Sequence, residues 1–557
     1  MARWQLGAGQ RQIVHPLVLA KRWPWLVLMG WMVPLLLVGF FDLDHQSLMA
    51  HDEGLYARRA RVIVDTGDWV HPWATPHHKT PGPYWIVALF IQILGRHEVA
   101  VRLPSVLASL GCIWLTYAIG RRLLTPTAAL LGALSLGVAP LWLQYSRLAT
   151  PDVPFTALTL LAIWLLLVAD QSLSLRRWLC FGAGVSLGLT VLVRSALAAV
   201  PMACLLPYLL LSGRHHLKQW SFYGGGLVGL LPTAIWVWLC WQRYDMAVIN
   251  ALINFPVSQG LTTDRAKSPL FYLFNLLAND FLWIFFALGA VILLLRSLVR
   301  SFMRSRTGGI RLVQPQISFL LLYPLLYLGL LSFASTKLPH YAIPVYPFLA
   351  LLTGYAMEQL VRHGSNVTLK RFLGVINGLL LFLGSVVMVA ACLAIVTTVL
   401  PSTEDIRPYA PIVFGIGFAW LGAGLLWFGV WGKAQPRQSR LLSWLALLLV
   451  GHWISLLVAW GTAELGNVNP EMKALLIRQD IQPVLRTEAI DFSPGLNSKR
   501  STLLRFYTPN PGQKLPTLER VAPHNYLWIE DSELPTLPQP YDSLGQIKQT
   551  HLVKIHP

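Results

Sequence analysis

Residues 24–59 read PWLVLMGWMVPLLLVGFFDLDHQSLMAHDEGLYARR, and this stretch already indicates the class of the protein. Its first half is an apolar run of about the length that an α-helix needs to cross a bilayer, roughly 20 residues. The acidic pair Asp52 and Glu53 follows shortly after it. Carboxylates close to hydrocarbon are costly, and only 12% of the 557 residues are charged. The pattern therefore predicts a membrane protein that keeps acidic residues beside its first span for a function.

Further apolar stretches continue along the chain, and the same length criterion predicts about 13 spans. The net charge is +19, but the basic residues cluster in alternate loops, at 21–22, 121–122, 176–177, 214–218, 296–311, 370–371 and 433–440. This regular positive-inside pattern puts the N-terminus in the cytoplasm, and an odd number of spans puts the C-terminus outside. The expected partner is therefore the lipid bilayer of the cytoplasmic (inner) membrane and not a nucleic acid.

The composition divides the chain into two expected domains. Residues 1–461 form a transmembrane domain whose long first outer loop, 42–97, carries two interfacial helices near 54–64 and 84–94. Residues 462–557 are polar and proline-rich, with a helix predicted over 469–486 and strands over 502–507, 525–529 and 549–555. The predicted fold is an all-α polytopic membrane protein with a small C-terminal α/β soluble domain outside the membrane.

Charged residues of both signs collect on the predicted outer face, which suits an active site or a substrate port. Asp52 and Asp152 each lie against an apolar segment, and the nearby cations are Lys79, Arg194, Arg243, Arg265 and Lys337. No nucleotide sugar is available outside the cytoplasm, so a glycosyl transfer there needs a lipid-linked donor such as a polyprenyl phosphate sugar. Cations stabilise the departing phosphate. A carboxylate takes the proton of an acceptor hydroxyl or stabilises positive charge on the sugar ring.

Several motifs in order resemble a known family. They are His51-Asp52-Glu53-Gly54-x-Tyr56-Ala57, Gly67-Asp68-Trp69-Val70-x-Pro72, Lys79-x-Pro81-x-x-Tyr84-Trp85, Arg102-Leu103-Pro104-Ser105, Thr150-Pro151-Asp152-Val153-Pro154 and Lys337-Leu338-Pro339-His340-Tyr341. The pattern is similar to the bacterial aminoarabinose transferases of lipid A, which are grouped with the protein O-mannosyltransferases in the GT-C superfamily.

The resemblance implies a role for each of these positions. Asp52 corresponds to the catalytic aspartate and Asp152 to a supporting one. Lys79 corresponds to a donor-phosphate contact, and so does an arginine in the loop that holds Arg243 and Arg265. The residues expected to line the cavity are Glu53, Tyr56, His78, Tyr84, His340 and Tyr341.

The chain departs from the family pattern at three places. Leu55 stands where the family commonly has arginine, His78 where it has glutamate, and Arg194-Ser195 where it has lysine-glycine. These differences affect the sugar and any metal bound through that glutamate. A divalent metal is a secondary candidate cofactor, and no metal-ligand set is assigned.

The leading hypothesis is an inverting glycosyltransferase that uses an undecaprenyl phosphate sugar on the outer face. Its acceptor is a lipid A-like glycolipid or a protein hydroxyl. The alternative is a transporter or flippase for a polyprenyl lipid. A transporter would place charged residues at mid-bilayer depth on broken helices. Here the acids stand at span ends and in outer loops, which favours the enzyme.

Overall fold

A computed structural model describes residues 24–42, 46–49, 53–73, 75–261, 267–304, 315–363, 367–396, 407–429, 437–461, 469–522 and 525–556. The first helices are α1 Pro24–Asp42, α2 Glu53–Thr66, α3 Gly82–Leu94, α4 Glu98–Leu123, α5 Pro126–Leu136, α6 Pro140–Ser146, α7 Asp152–Ala169, α8 Arg176–Arg194, α9 Ala199–Leu211, α10 Arg214–Leu217 and α11 Trp220–Tyr244. Those that follow are α12 Met246–Leu261, α13 Phe271–Asn279, α14 Phe281–Arg304, α15 Pro315–Ile317, α16 Tyr323–Phe333, α17 Tyr346–His363, α18 Val367–Val396, α19 Ala410–Phe428, α20 Arg437–Gly461, α21 Pro470–Leu476, α22 Ile481–Thr487 and α23 Ser498–Tyr507. A π-helical segment, Ser318–Leu322, joins α15 to α16, and a 3₁₀ helix, Pro339–Val345, precedes α17.

The predicted polytopic helical fold is confirmed, but the count of 13 spans is not. Among the described residues, nine helices are long and apolar enough to cross a membrane, or ten if the bent pair α5–α6 is one span. In the first predicted span, 24–41, the side chains are described only over Pro24–Val33, which is an apolar helix of its own, and the span over 341–360 begins as a 3₁₀ turn. By length and composition alone, helices α8 and α9 together form one of these nine apolar segments, Arg176–Leu211.

The chain nevertheless reverses between α8 and α9. Ser195 follows α8 with a φ of 50°, a backbone conformation that a non-glycine residue rarely adopts. His216, which comes after α9, lies with its Nδ1 3.3 Å from the Sγ of Cys180 in the second turn of α8. Since the two ends of this segment meet, α8 and α9 run in opposite directions and Arg194 stands at the turn.

The C-terminal residues form the predicted α/β unit around a five-stranded sheet. The strands are β1 Ile490–Phe492, β2 Pro511–Lys514, β3 Tyr526–Glu530, β4 Tyr541–Ile547 and β5 Thr550–Ile555, in the order β2-β1-β3-β5-β4. The pairs β1–β2 and β1–β3 are parallel, and β5 pairs antiparallel with β3 and with β4.

Two details of this unit differ from the prediction. The helix expected over 469–486 is two short helices, α21 and α22. The strand expected over 502–507 is wrong, because these residues lie in helix α23. Asn497 caps that helix by accepting a hydrogen bond from the amide of Lys499 at 3.0 Å. Leu503 and Leu504 are buried on the inner side of the helix, so helical burial outweighs the strand preference of this segment.

Helices form at both predicted positions in this segment, as α2 and α3, and they share one hydrophobic core with the C-terminal unit. This core combines Ala57, Ile63 and Val87 with Phe492 and Leu503. Gly54 permits the close approach, since a Cβ there would lie 2.6 Å from Leu503. The C-terminal unit is therefore packed directly on helix α2, which follows the first motif residues.

Candidate active site

An ion pair joins two helix ends on one face of the membrane domain. Asp152 is the first residue of α7, and Arg194, the last residue of α8, donates from Nη2 to Asp152 Oδ1. The two side chains are only 3% and 11% exposed. A carboxylate at a helix N-terminus and a cation at a helix C-terminus are both stabilised by the helix dipole. The structure thus brings together an acid and a base that lie 42 residues apart in the chain.

The loop that carries Lys79 is fastened to the same end of α8. The amide of Thr80 donates to Ser195 Oγ at 3.0 Å, and Thr80 Oγ1 donates to the carbonyl of Val191 at 3.0 Å. Gly82 allows this contact, because a Cβ at that position would lie 2.5 Å from the carbonyl oxygen of Leu192. Lys79 is therefore held beside Arg194.

A cavity of about 290 Å³ opens between these elements. Its polar lining includes Tyr56, His78, Lys79, Arg194 and Tyr341, and its apolar lining includes Val193, Leu197, Val200 and Leu331. Lys79 Nζ donates to Tyr56 Oη at 3.3 Å, and the guanidinium of Arg194 stands 5.4 Å from the ring centroid of Tyr341. A cationic end beside apolar walls suits an amphiphile with an anionic head group.

The histidines next to Lys79 contribute no charge at neutral pH. Burial, with the nearby charges of Lys79 and Arg59, lowers the pKa of His78 to about 4. The pKa of His77 is lowered further by burial and by Arg59. His77 Nδ1 accepts from the amide of Lys79 at 2.8 Å and its Nε2 lies 3.1 Å from Tyr84 Oη, so both ring nitrogens already have partners. The positive charge of the cavity therefore comes from Lys79 and Arg194.

Two residues expected to line the cavity have other surroundings. Glu53 is fully buried, and its carboxylate accepts from Arg102 Nε at 2.7 Å and Arg102 Nη2 at 2.8 Å. It also accepts from the amides of Met49 at 2.9 Å and Ala149 at 3.2 Å. Tyr84 is fully buried and stacks on Tyr56 with ring centroids 5.2 Å apart. Glu53 thus anchors the start of α2, and Tyr84 packs against the ring of the cavity residue Tyr56.

The remaining predicted residues are dispersed. His340 lies next to the cavity residue Tyr341 but hydrogen-bonds through Nδ1 to Tyr145 Oη at 2.9 Å. Lys337 Nζ donates to the carbonyls of Ala334 at 2.6 Å and Lys267 at 3.0 Å, which fixes the loop before the 3₁₀ helix.

The three predicted site residues that remain are the cations Arg243 and Arg265 and the acid Asp52. Arg243 is half-exposed at the end of α11, where its Nη1 lies 3.8 Å from Asp68 Oδ2. Asp52 and Arg265 lie outside the described residues. Of the predicted set, the structure therefore gathers Tyr56, His78, Lys79, Arg194 and Tyr341 around one cavity, and Asp152 is bound to Arg194.

Sequence reasoning missed the residues that hold this arrangement. Thr80 and Ser195 fasten the Lys79 loop, and their small hydroxyl side chains give no pattern that distinguishes them from other loop residues. The role of Arg102 could have been inferred from the sequence. It is an arginine inside the apolar helix α4, and such a residue requires a buried acidic partner.

Comparisons with known proteins agree with this fold. Residues 78–239 match the family described as dolichyl-phosphate-mannose-protein mannosyltransferase. An undecaprenyl phosphate-alpha-4-amino-4-deoxy-L-arabinose arabinosyl transferase of Pseudomonas aeruginosa is 29% identical over 452 residues, 76% of this chain and 74% of that protein. An enzyme of the same name, numbered 2, from Pseudomonas fluorescens is 27% identical over 487 residues, 83% of this chain and 77% of that protein. An uncharacterized protein of Aquifex aeolicus is 25% identical over 350 residues, 61% of this chain and 65% of that protein.

The solved structures show the same fold. ArnT from Cupriavidus metallidurans, crystallised with undecaprenyl phosphate, superposes with a TM-score of 0.71 and 20% identity over 95% of this chain and 98% of that one. Its apo structure superposes with a TM-score of 0.69 over 96% of this chain and 98% of that one. The sequence matches and the shared fold show a multi-pass membrane protein that resembles the aminoarabinose transferases and, over residues 78–239, the protein mannosyltransferases.

Proposed function

We propose that this enzyme transfers a sugar from an undecaprenyl phosphate donor to an acceptor at the outer face of the inner membrane, with inversion at the anomeric carbon. The observation that carries the proposal is the cavity that unites Lys79 and Arg194 with an apolar wall. A polyprenyl phosphate has a matching anionic head and apolar tail. The Pseudomonas relatives are named as undecaprenyl phosphate arabinosyl transferases, and ArnT from Cupriavidus metallidurans was crystallised with undecaprenyl phosphate, so both support the same donor.

The proposed reaction is a single displacement. The acceptor oxygen attacks the anomeric carbon, the bond from that carbon to the phosphate oxygen breaks, and its electron pair leaves with the phosphate. Lys79 and Arg194 stabilise the charge that develops on the leaving group. When the acceptor is a hydroxyl, its proton passes to the carboxylate that we assign as the base, Asp52.

Asp152 serves a different role in this proposal. Its Oδ1 is engaged by Arg194, and the pair is buried, so Asp152 holds the guanidinium in place and does not abstract a proton. Asp52 directly precedes Glu53, whose carboxylate is fixed by Arg102. We therefore assign Asp152 as a positioning residue and Asp52 as the catalytic carboxylate.

We also propose the orientation of the chain in the membrane. Asp152 and Arg194 stand at one end of α7 and α8, and the basic residues Arg176 and Arg177 stand at the other end of α8. The positive-inside rule then puts the cavity on the extracytoplasmic face. The C-terminal unit, which we assign to residues 462–557 after a transmembrane domain of 1–461, packs on α2 and therefore lies outside as well.

The test uses purified full-length protein with a panel of undecaprenyl phosphate sugars, including 4-amino-4-deoxy-L-arabinose and mannose. Release of undecaprenyl phosphate is measured with a lipid A acceptor, with a serine- and threonine-containing peptide, and without acceptor. We expect release that requires one donor and one acceptor class. Absence of release with every combination, or translocation of the intact donor lipid between leaflets, would overturn the proposed function.

The same assay tests the role of Asp52. Asp52→Asn is expected to abolish turnover while the protein still inserts in membranes and binds the donor. Lys499→Ala is the control, because Lys499 is exposed on α23 and does not line the cavity. Turnover retained by Asp52→Asn would refute the assignment of the base but not the glycosyl transfer itself.

A further inference from the structure

A cluster of side chains of the types that bind metal ions lies at the opposite end of helix α7 from the cavity. It comprises Asp170, His215 and His216, which we call the Asp170 cluster. Asp170 directly follows the 18-residue helix α7, whose other end is Asp152. At 1.5 Å per residue, α7 separates the two sites by about 27 Å. The Asp170 cluster is therefore independent of the active site.

The three side chains converge on a small volume. Nε2 of His215 and Nε2 of His216 both lie 2.8 Å from Asp170 Oδ1. The two imidazole rings are 4.0 Å apart between centroids. One ligand atom from each residue lies within 4.8 Å of the others. Two imidazole nitrogens and a carboxylate oxygen are a donor set that binds Zn²⁺, with an open position for water.

The His215 nitrogen is also close to the carboxylate and sheltered. Its Nε2 lies 2.8 Å from Asp170 Oδ1 and is itself shielded from solvent, although the rest of the side chain is partly exposed.

The surrounding residues orient the proposed ligands through hydrogen bonds, as the residues around the ligands do in metal sites. His216 is fully buried, and its Nδ1 lies 3.3 Å from Cys180 Sγ, which leaves Nε2 facing Asp170. Tyr208 Oη donates to Asp170 Oδ2 at 2.7 Å. Such partners orient the imidazole and the carboxylate before an ion arrives. The His215 side chain is 37% exposed, so the site is open to solvent.

We propose that Asp170, His215 and His216 bind one Zn²⁺ ion at the membrane face opposite the active site. The ion would join the loop after α7 to the short helix α10 and so fasten the ends of α7 and α9 to each other. Because the ligands come from residues about 45 positions apart, the ion closes a long segment of chain, which favours a stabilising role.

The experiment uses full-length protein in detergent, purified without a polyhistidine tag and stripped with a chelator. Zn²⁺ alone is titrated by calorimetry, and Co²⁺ is titrated by visible absorption. We expect one ion per chain, a rise in the melting temperature on adding Zn²⁺, and tetrahedral Co²⁺ bands without a thiolate charge-transfer band. No binding at a one-to-one ratio, or a thiolate band that implicates Cys180 as a ligand, would overturn the proposal.

Variants locate the ion. His215→Ala removes a half-exposed ligand and is expected to lower the Zn²⁺ affinity at least tenfold; Asp170→Asn, which keeps the side-chain volume, is expected to do the same and guards against misfolding of the first variant. The controls are His556→Ala, a similarly exposed histidine that also faces an aspartate, and His78→Ala at the cavity. Both controls should bind as the unaltered protein does. Loss of binding in His78→Ala but not in His215→Ala would contradict the proposal.

Discussion

At the scale of single residues, Lys79 is the cation whose removal should affect the donor most directly. It lines the cavity and is held there by the contacts of Thr80. A charge-assisted hydrogen bond to phosphate contributes about 1.5–3 kcal/mol. Lys79→Ala should therefore lower kcat/KM for the lipid donor about 10- to 100-fold, as measured by release of undecaprenyl phosphate. Lys499→Ala is the matched control, and an equal loss in both variants would show that the effect is not local.

The buried pair of Asp152 and Arg194 allows a double-mutant test. Removing one partner leaves an uncompensated buried charge, which costs about 3–5 kcal/mol. Asp152→Asn and Arg194→Gln should each lower the melting temperature strongly, and the double variant should recover much of that loss because no charge remains unpaired. Activity should stay low in all three, since the phosphate contact is gone or displaced. Additive losses of stability would show that the two side chains do not interact.

The histidine beside Lys79 gives a prediction on pH. The pKa of His78 is lowered to about 4, so its ring is neutral in the folded protein above that pH. In the unfolded chain the ordinary histidine pKa near 6.5 applies, so the unfolded state binds the extra proton first and the folded state loses stability as pH falls from about 6.5 towards 4.

His78→Ala should remove part of that acid sensitivity in thermal unfolding. Donor binding between pH 6 and 8 should not titrate with His78. A binding curve with a midpoint near 6.5 that disappears in His78→Ala would contradict the assigned protonation state.

At the scale of elements, Arg61 joins helix α2 to the C-terminal unit. Its guanidinium donates to the carbonyls of Arg505 at 2.6 Å, Phe506 at 3.0 Å, Thr508 at 2.5 Å and Pro509 at 2.5 Å. Arg61 also pairs with Asp65 at 2.9 Å. A planar fork of donors is needed to reach several acceptors at once, and lysine does not provide one.

Arg61→Lys and Arg61→Ala should both release α2 from the C-terminal unit. The expected results are faster proteolysis between residues 462 and 469 and a large fall in turnover, since α2 begins directly after Asp52. Arg486→Ala, at an exposed arginine of α22, is the control. Unchanged proteolysis and turnover in both Arg61 variants would show that this contact does not position α2.

The same elements show what the sequence could and could not predict. Helices α2 and α3 were predictable because apolar and polar side chains alternate with helical spacing. The helix α23 was predicted as a strand because the Thr502-Leu503-Leu504 run contains residues common in both, and the cap at Asn497 was not recognised. Glu53 was predicted to line the cavity, but its partner Arg102 lies 49 residues away, and such a pairing is visible only in three dimensions.

At the scale of the whole molecule, alternating basic loops predicted a polytopic membrane fold, and the described residues confirm that fold but not the count of 13 spans. Hydropathy counts apolar residues and does not register where a helix bends, as between α5 and α6. The residues that meet at the cavity come from four separate segments of the chain, around Tyr56, Lys79, Arg194 and Tyr341. Their motifs could be recognised one by one, whereas their meeting depends on how α2, α8 and the 3₁₀ helix pack.

The proposed orientation can be measured on intact cells. In a background with Cys392, the exposed native cysteine, replaced by serine, Lys499→Cys should react with a membrane-impermeant maleimide. Arg177→Cys, at the start of α8, should react only after the membrane is opened. The reverse labelling pattern would place the cavity in the cytoplasm and exclude a donor that is presented outside.

The contact between α2 and α23 has a consequence for biogenesis. The carbonyl of Arg505 that Arg61 binds is synthesised 444 residues after it. While the ribosome is still translating the intervening segments, helix α2 has no partner for its buried Arg61 and no cover for its apolar side. The packing of α2, which begins directly after Asp52, is therefore completed only after the C-terminal unit has been translated, and a prematurely terminated polypeptide would reach the bilayer with this helix unpacked.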